Sequence, residues 1–276
     1  MSPTNIWLFF IMPTLKANNI DLFYRSIGDG PETIVFSHGY LMNNTMYNDQ
    51  IAVLKDKYRC VTFDHRGHGK SEVTASGYAL EDLVDDAIAF VEGLGSGPVH
   101  FVGMSTGGFV GMRIALRRPE VLKSLVLMNT SASKEPAAAK KKYDLLIWMV
   151  KTFGWGPVIG TAIKTMFHST FLKDRSRKEQ VKEWKNIVKS HNKGAVIKFG
   201  QGIFSRDDVL DRLSALEIPC AVIIGEFDAA TPPKLGRKIA DKIPGAKLYE
   251  IKDAGHSTPI EKPQEVNKAL RDFYGI

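Results

Sequence analysis

Ser105 stands in a stretch whose residue types suit a nucleophile. Glycines two positions before and two positions after it give the pattern Gly-x-Ser-x-Gly at 103–107. The short apolar run 99–103 is typical of a buried strand, and apolar residues then recur at helical spacing until about residue 117. Small neighbours suit a strained strand-to-helix turn that leaves one hydroxyl exposed. The stretch therefore predicts a reactive serine at a sharp turn between a strand and a helix.

A serine hydroxyl is a poor nucleophile at neutral pH, so Ser105 needs a base, and that base needs an orienting partner. His256 and Asp228 are the candidates because each comes shortly after a run that reads as a strand. The carboxyl ends of parallel strands meet at one edge of a sheet, and Ser105 lies at that same edge. The spacing therefore predicts that these three side chains meet there.

Other acids and histidines compete for these roles. Asp253 and Glu226 are alternatives to Asp228. Asp253, however, lies only three residues from His256 on the same loop, and Glu226 comes one step early at the end of its strand. Among the other six histidines, His38 lies in a glycine loop with no serine nucleophile at hand. The histidines also lack the spacing of metal ligands, so we expect no metal site.

The elements that must position these residues alternate along the chain. Strands and helices follow each other with short connections that contain glycine or proline, which is typical of a mainly parallel sheet covered on both faces. We expect an α/β fold with about eight strands. The predicted strands are residues 20–27, 33–36, 59–63, 99–103, 122–128, 219–225 and 247–251. The predicted helices of the main body include 46–54, 80–94, one through 243 with Thr231 as its N-cap, and 263–274.

The alternation stops after residue 128, and about 75 residues pass before the next apolar strand. We interpret residues 131–205 as a helical cap insertion in a core formed by 20–130 and 206–276. Residues 1–19 form an N-terminal extension in this division. Aromatic residues at helical spacing in the cap predict several small helices with a core of their own, and we expect a fraction of them to face a pocket.

The net charge of +7 is concentrated in one part of the chain. Residues 131–200 hold 15 Lys and Arg against 5 Asp and Glu, whereas the remainder holds 22 against 25. Either the excess forms a solvated helix face, or it attracts anionic substrates or surfaces. Zinc-finger spacing, an aromatic RNA-binding motif and a basic tail are all missing, so we expect no nucleic-acid partner.

The two cysteines and the first residues of the chain indicate in which cellular compartment we expect the protein. Cys60 and Cys220 lie in separate apolar runs, which predicts two buried thiols in a reducing, cytoplasmic environment. The apolar segment 6–12 is far too short to span a membrane and lacks the features of a secretory signal. We favour translation beginning at Met12, with an arm that packs on a pocket mouth or a partner as the alternative.

Five motifs follow one another from about residue 20 to the end of the chain: His38-Gly39, the turn Asp64-x-Arg66-Gly67-x-Gly69-x-Ser71, the elbow Gly103-x-Ser105-x-Gly107-Gly108, Asp228, and Gly255-His256. Together they resemble the motifs of the α/β-hydrolase superfamily. Within it, the chain is most similar to the branch of cofactor-free serine esterases, enol-lactonases and haloperoxidases.

The resemblance implies a role for each of these residues. Ser105 would be the nucleophile, His256 the general base and then acid, and Asp228 the residue that holds the imidazole. The backbone N–H groups of Tyr40 and Thr106 would form the oxyanion hole. No cofactor is implied. The residues expected to contact substrate are His38, Tyr40, Trp148, Trp155 and Phe167.

The leading hypothesis for function is hydrolysis of a carboxylic ester through an acyl-enzyme. Serine at the elbow disfavours epoxide hydrolases and dehalogenases, which place an aspartate there. An enol-lactonase acting on an anionic lactone, or a perhydrolase, uses the same triad and stays open. A different class also stays open, because some members of this fold act as small-molecule receptors with slow hydrolysis. In each case the expected partner is a small ester or lactone, and the oligomeric state is left undetermined.

Overall fold

The structure is a computed structural model that describes residues 13–276. The apolar segment 6–12, and with it the choice between a start at Met12 and a packed arm, lies outside the described residues. The strands are β1 (Thr14–Ala17), β2 (Ile20–Ile27), β3 (Glu32–Ser37), β4 (Tyr58–Phe63), β5 (Val99–Met104), β6 (Leu122–Met128), β7 (Cys220–Gly225) and β8 (Lys247–Ile251).

These eight strands form one sheet in the order β1-β2-β4-β3-β5-β6-β7-β8. The first two pairings, β1 with β2 and β2 with β4, are antiparallel, and the rest are parallel. The prediction of a mainly parallel sheet of about eight strands is therefore confirmed. Residues 14–17, which the sequence analysis set apart in an extension, instead form β1, where Leu15 pairs with Leu22.

Eleven α-helices accompany the sheet in the described part of the chain. They are α1 (Asn48–Leu54), α2 (Leu80–Gly93), α3 (Thr106–Arg117), α4 (Ala137–Phe153), α5 (Ile159–Met166), α6 (Ser169–Lys173), α7 (Lys178–Ser190), α8 (Lys193–Phe204), α9 (Pro233–Lys242), α10 (Thr258–Glu261) and α11 (Pro263–Tyr274). None of the helices in residues 13–276 is long and apolar enough to cross a membrane.

Two helix starts differ in detail from the prediction. The helix predicted from about residue 46 to residue 54 is present, but it starts as a 3-10 turn, Asn44–Tyr47, and becomes α-helical at Asn48. Thr231 does not cap α9, because that helix begins one residue later than expected, with Pro232 as its N-cap. The Thr231 side chain instead donates a hydrogen bond to Asp228.

The core lies on both faces of the sheet, so the central strands are buried and mainly apolar along most of their length. Phe101 of β5 packs in an apolar cluster with Leu83 of α2, whereas the next residue, Val102, packs in the opposite cluster with Leu54 of α1 and Leu270 of α11. Both cysteines are buried free thiols on β4 and β7. Helices on both faces therefore hold the strand ends in place, and those ends carry the candidate site.

Helices α4–α8 lie between β6 and β7, and we call them the inserted helices. They have buried residues of their own, such as Trp184 and Val188. They also dock on the main body, since Tyr40 stacks on Phe199 of α8 with 5.7 Å between ring centroids and donates a 2.7 Å hydrogen bond to the Val196 carbonyl. The helices fall inside the predicted cap, and the division of the chain into core and cap stays a prediction.

The sheet has a topological switch at β3, which lies between β4 and β5. From β3 the chain passes to β4 on one side, and it later enters β5 on the other side. Open α/β sheets place their sites outside the strand ends at such a point. Here the loop 38–41 after β3 meets the turn at Ser105 after β5.

Candidate active site

Ser105 occupies a strained turn between β5 and α3. Its φ is +52°, in the left-handed region that non-glycine residues rarely adopt. The two flanking glycines are required by space, because a Cβ on Gly103 would lie 2.2 Å from the Gly107 carbonyl oxygen and one on Gly107 would lie 2.1 Å from the Ser37 carbonyl oxygen. The turn expected from Gly-x-Ser-x-Gly is therefore present.

Hydrogen bonds hold this turn from both sides. The Ser105 N–H donates to the Met128 carbonyl at 2.9 Å, which ties the turn to the end of β6. The Ser105 carbonyl accepts from the Thr130 hydroxyl at 2.8 Å and from the Phe109 N–H at 3.0 Å. With its backbone fixed in this way, Ser105 presents its side chain at a defined position.

The imidazole of His256 is bound to the carboxylate of Asp228. Its Nδ1 lies 2.9 Å from both carboxylate oxygens. Because a carboxylate only accepts, Nδ1 carries the proton and Nε2 of the neutral ring is free to accept one. Burial raises the pKa of Asp228, but the electrostatic attraction of the His256 ring and hydrogen bonds from His256, Thr231 and Asn129 outweigh it and hold that pKa below its ordinary value. Asp228 is therefore ionised and keeps the imidazole in one tautomer.

Two of the residues that support this pair were missed by sequence reasoning. Asn129 donates to Asp228 at 2.9 Å and to the Gly255 carbonyl at 3.2 Å. Glu261 accepts from the N–H groups of Gly255 and Ser257, both at 3.0 Å, and so holds the loop on either side of the histidine. Asn129 follows the end of β6 at the edge where the other candidates lie, and this position was the available signal.

The alternatives to Asp228 lie elsewhere. Glu226 accepts a 3.0 Å hydrogen bond from the Asp253 N–H at an exposed position. The two acids thus contact each other rather than the imidazole of His256. Of these three acids, Asp228 is the one that binds the imidazole.

Ser105 and His256 line the same cavity. The hydrogen bonds among the described residues do not include one between the serine hydroxyl and Nε2 of the imidazole. The distance between a nucleophile and its general base is often long before substrate binds and shortens in the substrate complex. The cavity walls are mainly apolar and come largely from the inserted helices, with Ile147 and Val150 on α4 and Val196 on α8.

The 38–41 loop packs directly against the serine turn. A Cβ on Gly39 would lie 3.3 Å from the Cβ of Ser105 and 2.8 Å from the sulfur of Met104. Within residues 13–276, neither the N–H of Tyr40 nor that of Thr106 has a hydrogen-bond acceptor, and the latter is the first residue of α3. Two free N–H groups therefore flank the serine.

The predicted substrate contacts divide into two groups. Tyr40 and Trp155 line the cavity, whereas His38, Phe167 and Trp148 do not. His38 is fully buried beneath its loop, where its ring binds the backbone at both nitrogens. Phe167 stacks on Phe171 in the apolar core, and Trp148 lies on the outer side of α4 with 53% of its surface exposed. These three residues therefore lie outside the lining of the cavity that contains Ser105 and His256.

An ion pair between Arg206 and Glu135 lies in the cavity wall, and the sequence did not predict it. Arg206 binds Glu135 at 2.9 Å, and its guanidinium lies 4.1 Å from the centre of the Phe109 ring. Among the described residues that line the cavity, Arg206 is the only lysine or arginine, and its charge is compensated by Glu135. The 15 basic residues of 131–200 thus lie outside the cavity lining, which favours the interpretation of a solvated face.

Comparison with known families decides the classification. A family model described as alpha/beta hydrolase fold matches residues 32–263. The chain belongs to the α/β-hydrolase fold family. The candidate site lies at the carboxyl ends of the parallel strands, where open α/β sheets place their sites.

Three known proteins are similar to this α/β-hydrolase over nearly their whole length. It is 28% identical to 3-oxoadipate enol-lactonase 2 of Acinetobacter baylyi, an alignment that covers 95% of this chain and 96% of the relative. The enol-lactonase from Burkholderia xenovorans matches with a TM-score of 0.88 and 25% identity over 96% and 100% of the two chains. A thermophilic esterase from Thermogutta terrifontis matches with a TM-score of 0.87 and 27% identity over 95% and 97%. Family and relatives together identify the chain as a hydrolase.

Proposed function

We propose that this α/β-hydrolase is a serine carboxylesterase whose catalytic residues are Ser105, Asp228 and His256. One observation carries the proposal: a serine on a strained turn lines the same cavity as an imidazole whose Nδ1 is held by a buried carboxylate. Two free backbone N–H groups beside the serine add an oxyanion hole, formed by Tyr40 and Thr106.

In the acylation step, Nε2 of His256 takes the hydroxyl proton while Ser105 Oγ attacks the ester carbonyl carbon. The carbonyl oxygen becomes an oxyanion, which accepts hydrogen bonds from Tyr40 and Thr106 N–H. Each such donor is worth on the order of 3 kcal/mol in serine hydrolases. The tetrahedral intermediate then collapses, and the proton on Nε2 passes to the leaving alcohol.

In the deacylation step, a water molecule takes the place of the alcohol. His256 removes a proton from this water as it attacks the acyl carbonyl, and the same proton returns to Ser105 Oγ when the intermediate breaks down. Asp228 keeps its negative charge throughout and stabilises the imidazolium. The net reaction consumes one ester and one water and yields one alcohol and one carboxylic acid.

The cavity lining supports an uncharged substrate with a sizeable apolar part. Aliphatic and aromatic side chains from the inserted helices and from the segment that joins α4 to α5 form most of the walls, and apolar groups gain about 25 cal/mol per Å² when they are buried there. The one arginine is neutralised by Glu135 at 2.9 Å. An ester with a carboxylate elsewhere in the molecule would therefore meet no uncompensated cation.

Lactone hydrolysis is the second candidate, and a specific observation favours it. Two of the similar proteins are named enol-lactonases and align over nearly the whole chain. A lactone is an internal ester, so the same serine attack opens it and the leaving alcohol stays attached. The apolar, charge-compensated cavity favours simple esters over an anionic lactone.

Nitrophenyl esters from acetate to dodecanoate, together with one neutral and one anionic lactone, test the proposal with purified protein. We expect multiple turnovers, with a preference for medium to long acyl chains over acetate. Ser105→Ala should lower kcat by several orders of magnitude and leave the fold unchanged. The matched control is Ser214→Ala, since Ser214 is an exposed serine on a 3-10 turn.

Two outcomes would contradict the esterase proposal. A single stoichiometric burst followed by no further product would favour the small-molecule receptor. Faster opening of the anionic lactone than cleavage of any ester would favour the enol-lactonase.

A further inference from the structure

Four buried histidines lie behind the 38–41 loop, and the proposed mechanism uses none of them. They are His38, His65, His68 and His191, each no more than 7% exposed. Their rings are in contact: the centroid distance is 4.7 Å from His38 to His65, 5.4 Å from His38 to His68, and 4.8 Å from His68 to His191. A buried cluster of this kind calls for a structural reason.

Three of these rings bind the backbone of the loop. Nδ1 of His38 lies 2.8 Å from the Gly39 carbonyl oxygen. Nε2 of His68 accepts the Leu41 N–H at 3.3 Å, and Nε2 of His191 lies 3.1 Å from the Leu41 carbonyl oxygen. Three successive peptide groups, those after residues 39, 40 and 41, are thus each held by a different imidazole.

The loop needs this support because its backbone is strained. Leu41 has φ +64°, a left-handed conformation that is unfavourable for a leucine. In a trans peptide the C=O and N–H point in opposite directions, so fixing the Gly39 carbonyl also fixes the direction of the Tyr40 N–H. The Leu41 carbonyl shares its peptide group with the Met42 N–H, which donates to the Gly39 carbonyl at 3.1 Å. The direction of the Tyr40 N–H therefore depends on the Leu41 peptide as well as on His38.

His191 differs from the other three in its origin. It lies between α7 and α8, among the inserted helices, whereas the others come from the main body. Its Nδ1 accepts the Gly69 N–H at 3.3 Å, so one ring joins the inserted helices, the 38–41 loop and the turn that follows β4. Since Gly69 and Leu41 bind opposite nitrogens, His191 is a spacer between two core loops.

We propose that His191 is a positioning residue for the hydrolysis: it holds the Leu41 carbonyl, and through it sets the orientation of the oxyanion-hole donor Tyr40. The inference rests on the proposed function, because it assigns the Tyr40 N–H to the oxyanion hole. His191 does not touch substrate, and its effect is confined to the stabilisation of the tetrahedral intermediate.

The hydrogen bonds require the His191 ring to be neutral. A nitrogen that accepts an N–H carries no proton, so the Gly69 contact leaves the single ring proton on Nε2, where it is donated to Leu41. Burial lowers the pKa of His191 to about 4, and the nearby His38 acts in the same direction. At neutral pH the ring therefore keeps the tautomer that the loop needs.

Two substitutions separate the two contacts of His191. In His191→Gln the amide nitrogen reaches the position of Nε2 and can still donate to Leu41, whereas in His191→Asn the shorter amide keeps only the contact with Gly69. We expect His191→Asn to lower kcat at least about tenfold with KM nearly unchanged, since an oxyanion donor acts mainly in the transition state. His191→Gln should restore kcat to within about threefold of wild type. His100→Gln, at the opposite end of β5, is the control.

The rate at which a fluorophosphonate labels Ser105 provides a second readout that needs no ester substrate. Failure of the wild type to react would refute the proposed function itself. If the wild type reacts and His191→Asn has the same labelling rate and the same kcat, the inference about His191 is overturned and the proposed function is not. A His191→Gln variant with labelling rate and kcat as low as those of His191→Asn would also overturn it, because the hydrogen bond to Leu41 would then have no effect on the reaction. Slow labelling in the asparagine variant with recovery in the glutamine variant supports it.

Discussion

We expect the protein to lose stability steadily as the pH falls below about 6.5. The reason is that buried histidines must stay neutral in the fold, whereas they are protonated freely in the unfolded chain. Burial lowers the pKa of His191 from 6.5 to about 4, and it lowers the pKa values of His38, His65 and His68 as well. Below pH 6.5 the unfolded state binds more protons than the native state, so the free energy of unfolding falls as the pH falls.

The size of the effect follows from the pKa shift of His191. Each pH unit between the unfolded and folded pKa values costs about 1.4 kcal/mol for each histidine that stays neutral. Between pH 6.5 and 5.0, His191 alone therefore removes about 2 kcal/mol, with no further loss from this residue below its folded pKa of about 4. Asp64, whose carboxylate lies 4.0 Å from Nε2 of His38, attracts an imidazolium and so raises the pKa of His191, but burial outweighs this attraction.

Urea denaturation followed by tryptophan fluorescence at pH 7, 6 and 5 measures this dependence. The variant His191→Gln removes one titrating group and keeps the Leu41 contact, so its unfolding free energy should fall about 2 kcal/mol less than that of wild type between pH 6.5 and 5.0. Equal pH dependence in the two proteins, or a wild-type stability that is flat from pH 7 to 5, would refute the reasoning.

Three further predictions concern the site. Asp228→Asn should lower kcat by roughly four orders of magnitude, as the equivalent change does in serine proteases, because the amide favours the wrong imidazole tautomer; ester kinetics measure it. Gly107→Ala should lower the unfolding free energy by at least about 2 kcal/mol, since its Cβ would lie 2.1 Å from the Ser37 carbonyl oxygen; urea denaturation measures it. Glu135→Gln should leave Arg206 uncompensated and raise kcat/KM for an ester with a distal carboxylate, relative to its neutral analogue, by roughly tenfold; paired kinetics on the two esters measure it.

Matched controls accompany these changes. Asp253→Asn alters an acid on the same loop that does not bind the imidazole, and it should leave kcat unchanged. Gly156→Ala adds a Cβ that would meet nothing within 4 Å, so it should not destabilise the protein. Glu120→Gln removes an exposed acid remote from the cavity. It should not alter the ratio of kcat/KM for the ester with a distal carboxylate to kcat/KM for its neutral analogue. Loss of activity in Asp253→Asn equal to that in Asp228→Asn would contradict the assignment of the acid.

The residues that could be predicted from the sequence are those fixed by local rules. The turn at Ser105 follows from two glycines and a change of periodicity, and the positions of Asp228 and His256 follow from the ends of apolar strands. These patterns depend on neighbours along the chain. The fold class and the placement of most strands could be predicted on the same grounds.

The residues that could not be predicted depend on how separate segments dock. Trp155 lines the cavity and Trp148 does not, although both lie in an aromatic-rich stretch. Trp148 is on the exposed side of α4, whereas Trp155 lies beyond the end of that helix, and the docking of this segment on the rest of the chain decides which ring faces the cavity. The contact between His191 and Leu41 joins residues 150 positions apart in the chain. The short strand β1 was not predicted either. It has only four residues, and it forms a strand because it pairs with β2.

Trapping the acyl-enzyme tests the central claim most directly. Rapid quenching during turnover of a slow ester, followed by mass spectrometry of the peptides, locates the acyl group. We predict one acyl adduct per protein on the peptide that contains Ser105, and none in Ser105→Ala. Turnover at an undiminished rate by Ser105→Ala, or an adduct on another residue alone, would contradict the account.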